Sequence, residues 1–262
     1  MSISNALKGV FLIGASEYIT AKIIKSGNVV EVYEYERGYI KGYNGVKKWD
    51  RGRIKGSTSV EYEDNRAKVL NRAKIQFRRL VNSNVGQYGD VTAKFFTLTF
   101  AENVQDLDIA HYEFTKFIKR LNYAVFDTKR AELKYSAAVE FQKRGAVHYH
   151  VIFYNLPYVP VAWLSNIWGQ GNIWINKINN VDNVGVYVTK YMHKDTDDPR
   201  LQGRKCHFSS KGLLQPLEIT DKKQVEAGLA SLPACSLKYE IVFDNEYCGH
   251  IHYRQYNLCR LL

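Results

Sequence analysis

The stretch KYSAAVEFQKRGAVHYHVIFY, residues 134–154, holds two apolar runs parted by a short polar turn. Lys134 to Phe141 and Val147 to Tyr154 read as strands, and the turn around Arg144 and Gly145 is short enough to predict an antiparallel hairpin. In the second run His148 and His150 flank Tyr149. The two-residue period of a strand puts both imidazoles on one face. Glu140 ends the preceding strand, eight residues before His148, and pairing across the turn is expected to bring its carboxylate to that face. Two neutral imidazoles and one carboxylate can chelate a divalent ion and leave coordination positions open for substrate.

Working outward, Lys94 to Phe100 (with FFTLTF at 95–100) is a predicted strand. Asp106 to Tyr123 is an amphipathic helix with Ala110, Phe114, Phe117 and Leu121 on one face. After the hairpin come a helix near Val161 to Trp168, a strand at Ile173 to Ile178 and a helix from about Asp182 to Lys194. The order is strand, helix, strand, strand, helix, strand, helix. This predicts an α+β protein: a central antiparallel sheet with flanking helices in a split βαβ arrangement.

Upstream, Val29 to Tyr35 alternates as a strand does. Arg37 to Lys55 carries seven Lys and Arg against Asp50, with glycines and Tyr39, Tyr43 and Trp49 interleaved. Such a segment suits a nucleic-acid arm or a solvated loop equally. Thr58 to Val81 reads as a helix, with a Thr58–Glu61 capping box, a Leu70, Ala73, Phe77 and Leu80 stripe, and Lys68, Arg72 and Arg79 elsewhere on its surface. The expected division is a basic N-terminal region (1–57), a core with a leading basic helix (58–212), and a C-terminal α/β extension (213–262) packed on the core.

The chain has 262 residues, with 37 Lys and Arg against 26 Asp and Glu, a formal charge of +11. That excess favours a polyanion through phosphate contacts and counterion release, although an anionic membrane surface would attract the same charge. Nineteen tyrosines offer rings for unpaired bases, and most of them are expected in the core. No apolar run approaches the length of a membrane span, and no secretory signal opens the sequence. Cys206, Cys235, Cys248 and Cys259 show no paired spacing and read as reduced thiols of a cytoplasmic protein. A zinc site from Cys235, Cys248, His250 and Cys259 matches no common pattern.

Two further patterns bear on chemistry. His250-Ile251-His252 repeats the His-x-His spacing but has only Glu246 close by, so the first pair is the expected metal site. In GVYVTKYMHK (185–194), Tyr187 and Tyr191 are neighbours on one helix face and Lys190 follows Tyr187 by three. Alone, Val184, Tyr187, Val188 and Tyr191 form an ordinary apolar stripe. Joined to a metal site, they permit a phenolate attack on a phosphate. Phenols have a pKa near 10, so a phenolate also leaves readily and the bond is reversible.

Together these motifs resemble the HUH endonucleases, specifically the rolling-circle replication initiators (Rep) of Gram-positive plasmids and single-stranded DNA phages. Residues 95–100 resemble that family's first motif, FxTLTF. His148 and His150 resemble its second motif, with Glu140 at the offset of the acidic ligand. Tyr187 and Lys190 match YxxK, and Tyr191 extends it towards the two-tyrosine initiators of small isometric phages. The motif resemblance covers about residues 94–195, and similarity to such initiators continues to the C-terminus.

The resemblance implies Tyr187 as nucleophile, Tyr191 as a second nucleophile or a packing residue, and Lys190 as the phosphate or metal-site partner. It also implies Mg2+ or Mn2+ held by Glu140, His148 and His150, single-stranded DNA at a replication origin, a 5′-phosphotyrosyl intermediate and a free 3′-OH. No GxxxxGK[ST] loop is present, so unwinding is expected from a host helicase in a bacterial cytoplasm. A plasmid-mobilising relaxase uses the same chemistry, but usually with three histidines and a tyrosine near the N-terminus. A non-enzymatic single-strand-binding module is the third reading, and covalent capture of DNA distinguishes it.

Overall fold

The computed structural model describes residues 17–41, 59–176, 178, 183–190, 199–201 and 203–258, and the side chains of α1 from residue 66 onward. In chain order these form β1 (Tyr18–Ser26), β2 (Val29–Ile40), α1 (Ser59–Asn84), β3 (Lys94–Thr99), α2 (Leu107–Phe126), β4 (Tyr135–Phe141), β5 (Val147–Phe153), α3 (Val161–Trp168), β6 (Ile173–Asn176) and α4 (Val184–Thr189). They continue as β7 (His207–Ser209), β8 (Leu217–Ile219), α5 (Lys222–Ser231), β9 (Leu237–Asn245) and β10 (Gly249–Asn257). The fold is α+β, with two antiparallel sheets ordered β6-β3-β5-β4-β7 and β8-β1-β2-β10-β9.

The first of these sheets holds the expected hairpin. β5 lies between β3 and β4, with Glu140 opposite His148, Ala138 opposite His150, and Thr97 and Thr99 opposite His150 and His148. Alternation sorts its side chains between two cores. On one face Phe96, Leu98, Val139, Tyr149, Val151 and Phe153 pack with Phe114, Phe117 and Leu121 of α2 and Trp168 of α3. Each such large apolar side chain contributes about 1.5–3 kcal/mol by leaving water. The buried indole of Trp168 donates to the Thr99 carbonyl at 3.0 Å, so no polar cost offsets its burial. On the other face Phe95, Ala138, Ile152 and Tyr154 pack with Phe77 and Val81 of α1 and Val184 and Val188 of α4.

Local chemistry sets the helix ends. Asp106 caps α2, its carboxylate accepting from the amides of Asp108 and Ile109. Asp127 ends α2 in the left-handed region, with φ of 48°. α1 runs to Asn84, three residues beyond the expected end at Val81, and its expected cap Thr58 lies outside the described residues. The strand at 173 stops at Asn176, and only residues 183–190 of the expected 182–194 helix are described.

The described chain forms two compact units. One comprises residues 25–30, 56–217 and 257–262 and contains the hairpin; the other comprises 1–24, 31–55 and 218–256. In the second unit the strands of both chain ends share a sheet, with β2 beside β10. β1, β7, β8 and β10 have no counterpart among the sequence-based strands, and most of the basic 37–55 segment lies outside the described residues.

Candidate active site

The face of the hairpin that meets α1 and α4 carries Glu140, His148 and His150, as their two-residue spacing requires. Glu140 and His150 are buried, and His150 Nε2 lies 2.5 Å from a Glu140 carboxylate oxygen. His150 Nδ1 lies 3.1 Å from the hydroxyl of Thr97 on β3, so the ring is held from both ends. The two imidazole centroids are 6.4 Å apart. His148 Nε2 is buried and finds no hydrogen-bond partner among the described residues. Burial pushes the His148 pKa down to about 4, helped by charge on His150 and Arg144 and opposed by Glu140. Its imidazole is therefore neutral near pH 7 and presents a lone pair. Among the described residues no three His, Cys, Asp or Glu side chains already converge as a formed metal cage.

Tyr187 reaches this face through an aromatic contact. Its ring meets Phe95 edge-on at 5.4 Å, and Phe95 stacks beside His150 at 5.9 Å between centroids. Lys190 Nζ sits 5.7 Å from the Tyr187 ring centroid, as an i, i+3 pair on a helix permits. Tyr191 lies outside the described residues.

The seat of α4 is built by α1. Asn82 accepts from the Gly185 amide at 2.7 Å and donates to Asn183 Oδ1 at 2.9 Å, while Asn183 caps α4 by accepting from the Val186 amide. A Cβ on Gly185 would stand 2.3 Å from the Arg78 carbonyl oxygen, so only glycine allows this approach.

Sequence reasoning passed over three contributors. Thr97 sat within the quoted motif, but its role depends on the β3–β5 register. Asn82 carried no signal beyond being polar in an apolar stretch. Arg144 read as a turn residue; its guanidinium donates to the carbonyls of Phe100 and Ala101 and ties the hairpin turn to the end of β3. Arg200 lies 3.6 Å over the Phe141 ring and donates to the Gly145 carbonyl.

The opposite face of the sheet holds a different feature. A cavity of about 400 Å3 is lined by His111, Phe114, Tyr135, Arg204 and Phe208 among others, and the Tyr149 hydroxyl bonds His111 Nδ1 at 2.8 Å. Burial lowers the His111 pKa, which keeps Nδ1 able to accept from the phenol.

The second His-x-His behaves differently from the first. His252 lies between Glu34 and Glu240, and His250 Nδ1 pairs with Asp244 at 2.5 Å. Both imidazoles are partly exposed and belong to ion pairs of the other sheet. Cys206, Cys235 and Cys248 are free thiols, and Cys259 lies outside the described residues. No helix among the described residues is long and apolar enough to cross a membrane.

Residues 93–196 match a family model for replication-associated proteins of the ORF2 type. The match spans less than half of the chain and contains β3, the hairpin and α4. It supports a replication initiator. No curated protein and no solved structure matches the chain.

Proposed function

We propose that the chain is a rolling-circle replication initiator of the HUH type, which nicks and rejoins single-stranded DNA through a tyrosine and a divalent metal. One observation carries this reading: Tyr187 packs on Phe95 beside His150, on the sheet face that also bears Glu140 and His148. The family match over the same residues agrees with it.

The donor set fits a divalent cation. A buried imidazole nitrogen without a partner, on His148, is costly unless something occupies it. Glu140, His148 and His150 would hold Mg2+ or Mn2+, with Thr97 fixing the His150 ring from behind. Such an ion, when bound, polarises the scissile phosphate.

The remaining steps belong to the chain. Tyr187 Oη attacks phosphorus, the P–O3′ bond breaks, and the strand keeps its 5′ phosphate as a tyrosyl ester. The phenolic proton passes to solvent and the departing 3′ oxygen takes one up, which leaves a free 3′-OH to prime synthesis. Lys190, beside the Tyr187 ring, offsets phosphate charge. Attack of a 3′-OH on the ester reverses the reaction and joins strands. Unwinding falls to a host helicase in the bacterial cytoplasm.

Incubation with labelled single-stranded origin DNA and Mn2+, read on a denaturing gel, tests the proposal. The wild-type chain is expected to form a covalent adduct, Tyr187→Phe to lose it, and Tyr191→Phe to retain the first cleavage. Peptide mass spectrometry locates the adduct. An adduct on Tyr191 alone moves the nucleophile, and one on neither tyrosine removes the mechanism.

A further inference from the structure

Strand β9 is the outer strand of its sheet, paired to β10 on one side only. Edge strands usually carry charge, proline or a bulge that blocks a further strand. The centre of β9 has none of these. Ile241, Val242 and Phe243 are 39%, 58% and 40% exposed, and the register with β10 runs unbroken from Asn245 to Tyr239. The opposite edge of the same sheet is β8, only 3 residues long, so β9 is the edge with length enough to pair.

The residues of β9 are complementary to themselves. Tyr239, Ile241 and Phe243 lie opposite Gln255, Tyr253 and Ile251 and share one face, while Glu240, Val242 and Asp244 share the other with Lys238. Antiparallel pairing of β9 with a copy of itself, centred on Ile241, sets Ile241 against Ile241, Tyr239 against Phe243, and Lys238 against Asp244. One face of the junction is then apolar throughout, and the other carries two opposite-charge pairs. Neighbouring registers lack this match. Centring on Glu240 opposes that carboxylate to itself, and centring on Val242 opposes Glu240 to Asp244. Like charges directly opposite each other disfavour both. The sequence therefore selects one register of self-pairing, which is how a specific strand junction is distinguished from a sticky edge.

We propose that β9 pairs antiparallel with β9 of a second copy of this chain, joining two sheets across a two-fold axis at Ile241. Asp244 also pairs with His250, but its side chain remains 84% exposed and open to Lys238 of the second copy.

Sedimentation of the full chain over a dilution series reaching about 100 µM tests this. The wild-type chain is expected to pass reversibly from monomer to dimer. Ile241→Lys places two like charges at the axis and is expected to weaken the dimer at least about tenfold. Lys238→Glu and Asp244→Lys are each expected to weaken it by roughly tenfold, and the double exchange to restore it. Circular dichroism and melting curves show whether each variant remains folded; should Ile241→Lys fail to fold, the charge exchange decides alone. A wild-type chain that stays monomeric overturns the proposal, as does a dimer indifferent to these substitutions or one that the double exchange does not restore.

Discussion

His148, Tyr149 and His150 divide two tasks across one strand. The imidazoles face Glu140 and Thr97, while the phenol between them crosses to α2 and bonds His111. Thr97 gives the sharpest residue-level expectation, because it touches His150 only at Nδ1 and is no ligand itself. Outer partners of metal-binding histidines typically govern affinity by about 10–100-fold. Thr97→Val is therefore expected to weaken Mn2+ binding by about tenfold, and Glu140→Gln to shift the metal titration upward, since an amide is a poorer ligand than a carboxylate. Metal-dependent melting reads both directly: a site filled to about a hundred times its dissociation constant adds about 2.7 kcal/mol of stability. His148→Ala should lose that increment altogether. A wild-type chain whose melting temperature ignores Mn2+ would leave these three residues without a metal role. The pairing of Glu140 with His148 was legible in the sequence because a short turn fixes hairpin register. The part played by Thr97 was not, since β3 and β5 are separated by α2 and β4, and no local pattern states their register.

At the scale of elements, the tyrosine helix depends on a helix about a hundred residues earlier in the chain. Asn82 of α1 satisfies both the Gly185 amide and the Asn183 cap, and Gly185 lets the two backbones touch. Gly185→Ala would ordinarily favour a helix by up to about 1 kcal/mol. Here its Cβ meets the Arg78 carbonyl oxygen at 2.3 Å, so overpacking of about 1–3 kcal/mol wins. The variant is expected to melt lower and to form far less covalent DNA adduct, yet to bind Mn2+ as the wild type does, because the hairpin is untouched. Unchanged adduct formation would mean that α4 need not sit on α1 for Tyr187 to act. Amphipathic period marked α2 and α3 closely and α1 to within three residues of its end. What packs on what was less visible: α1 read as a basic surface helix, whereas Phe77, Val81 and Asn82 make its other side the seat of α4.

For the whole molecule, the chain ends pose a different question, because distant segments complete one another. A division into N-terminal region, core and C-terminal extension follows chain order. In space, β2 borders β10, and the buried Glu31 carboxylate accepts from the Tyr253 hydroxyl at 2.9 Å. Strand period can mark Val29–Tyr35 and part of β9, but which distant strand each one borders is a long-range choice that no local spacing encodes. The consequence is testable by truncation. Removing residues 237–262 leaves β2 with β1 and the three-residue β8 alone, and a ribbon that small is marginal in water. Loss of the Tyr253 hydroxyl adds a cost of about 1–3 kcal/mol at buried Glu31. Amides of β1 and β2 are therefore expected to lose hydrogen-exchange protection. Those of β3, β4 and β5, whose sheet and cores draw no residue from the deleted segment, should keep theirs. Retained protection across residues 18–40 in the truncated chain would show that β1 and β2 hold their structure without the C-terminal strands. Collapse of protection in β3 to β5 would show that the two units unfold as one.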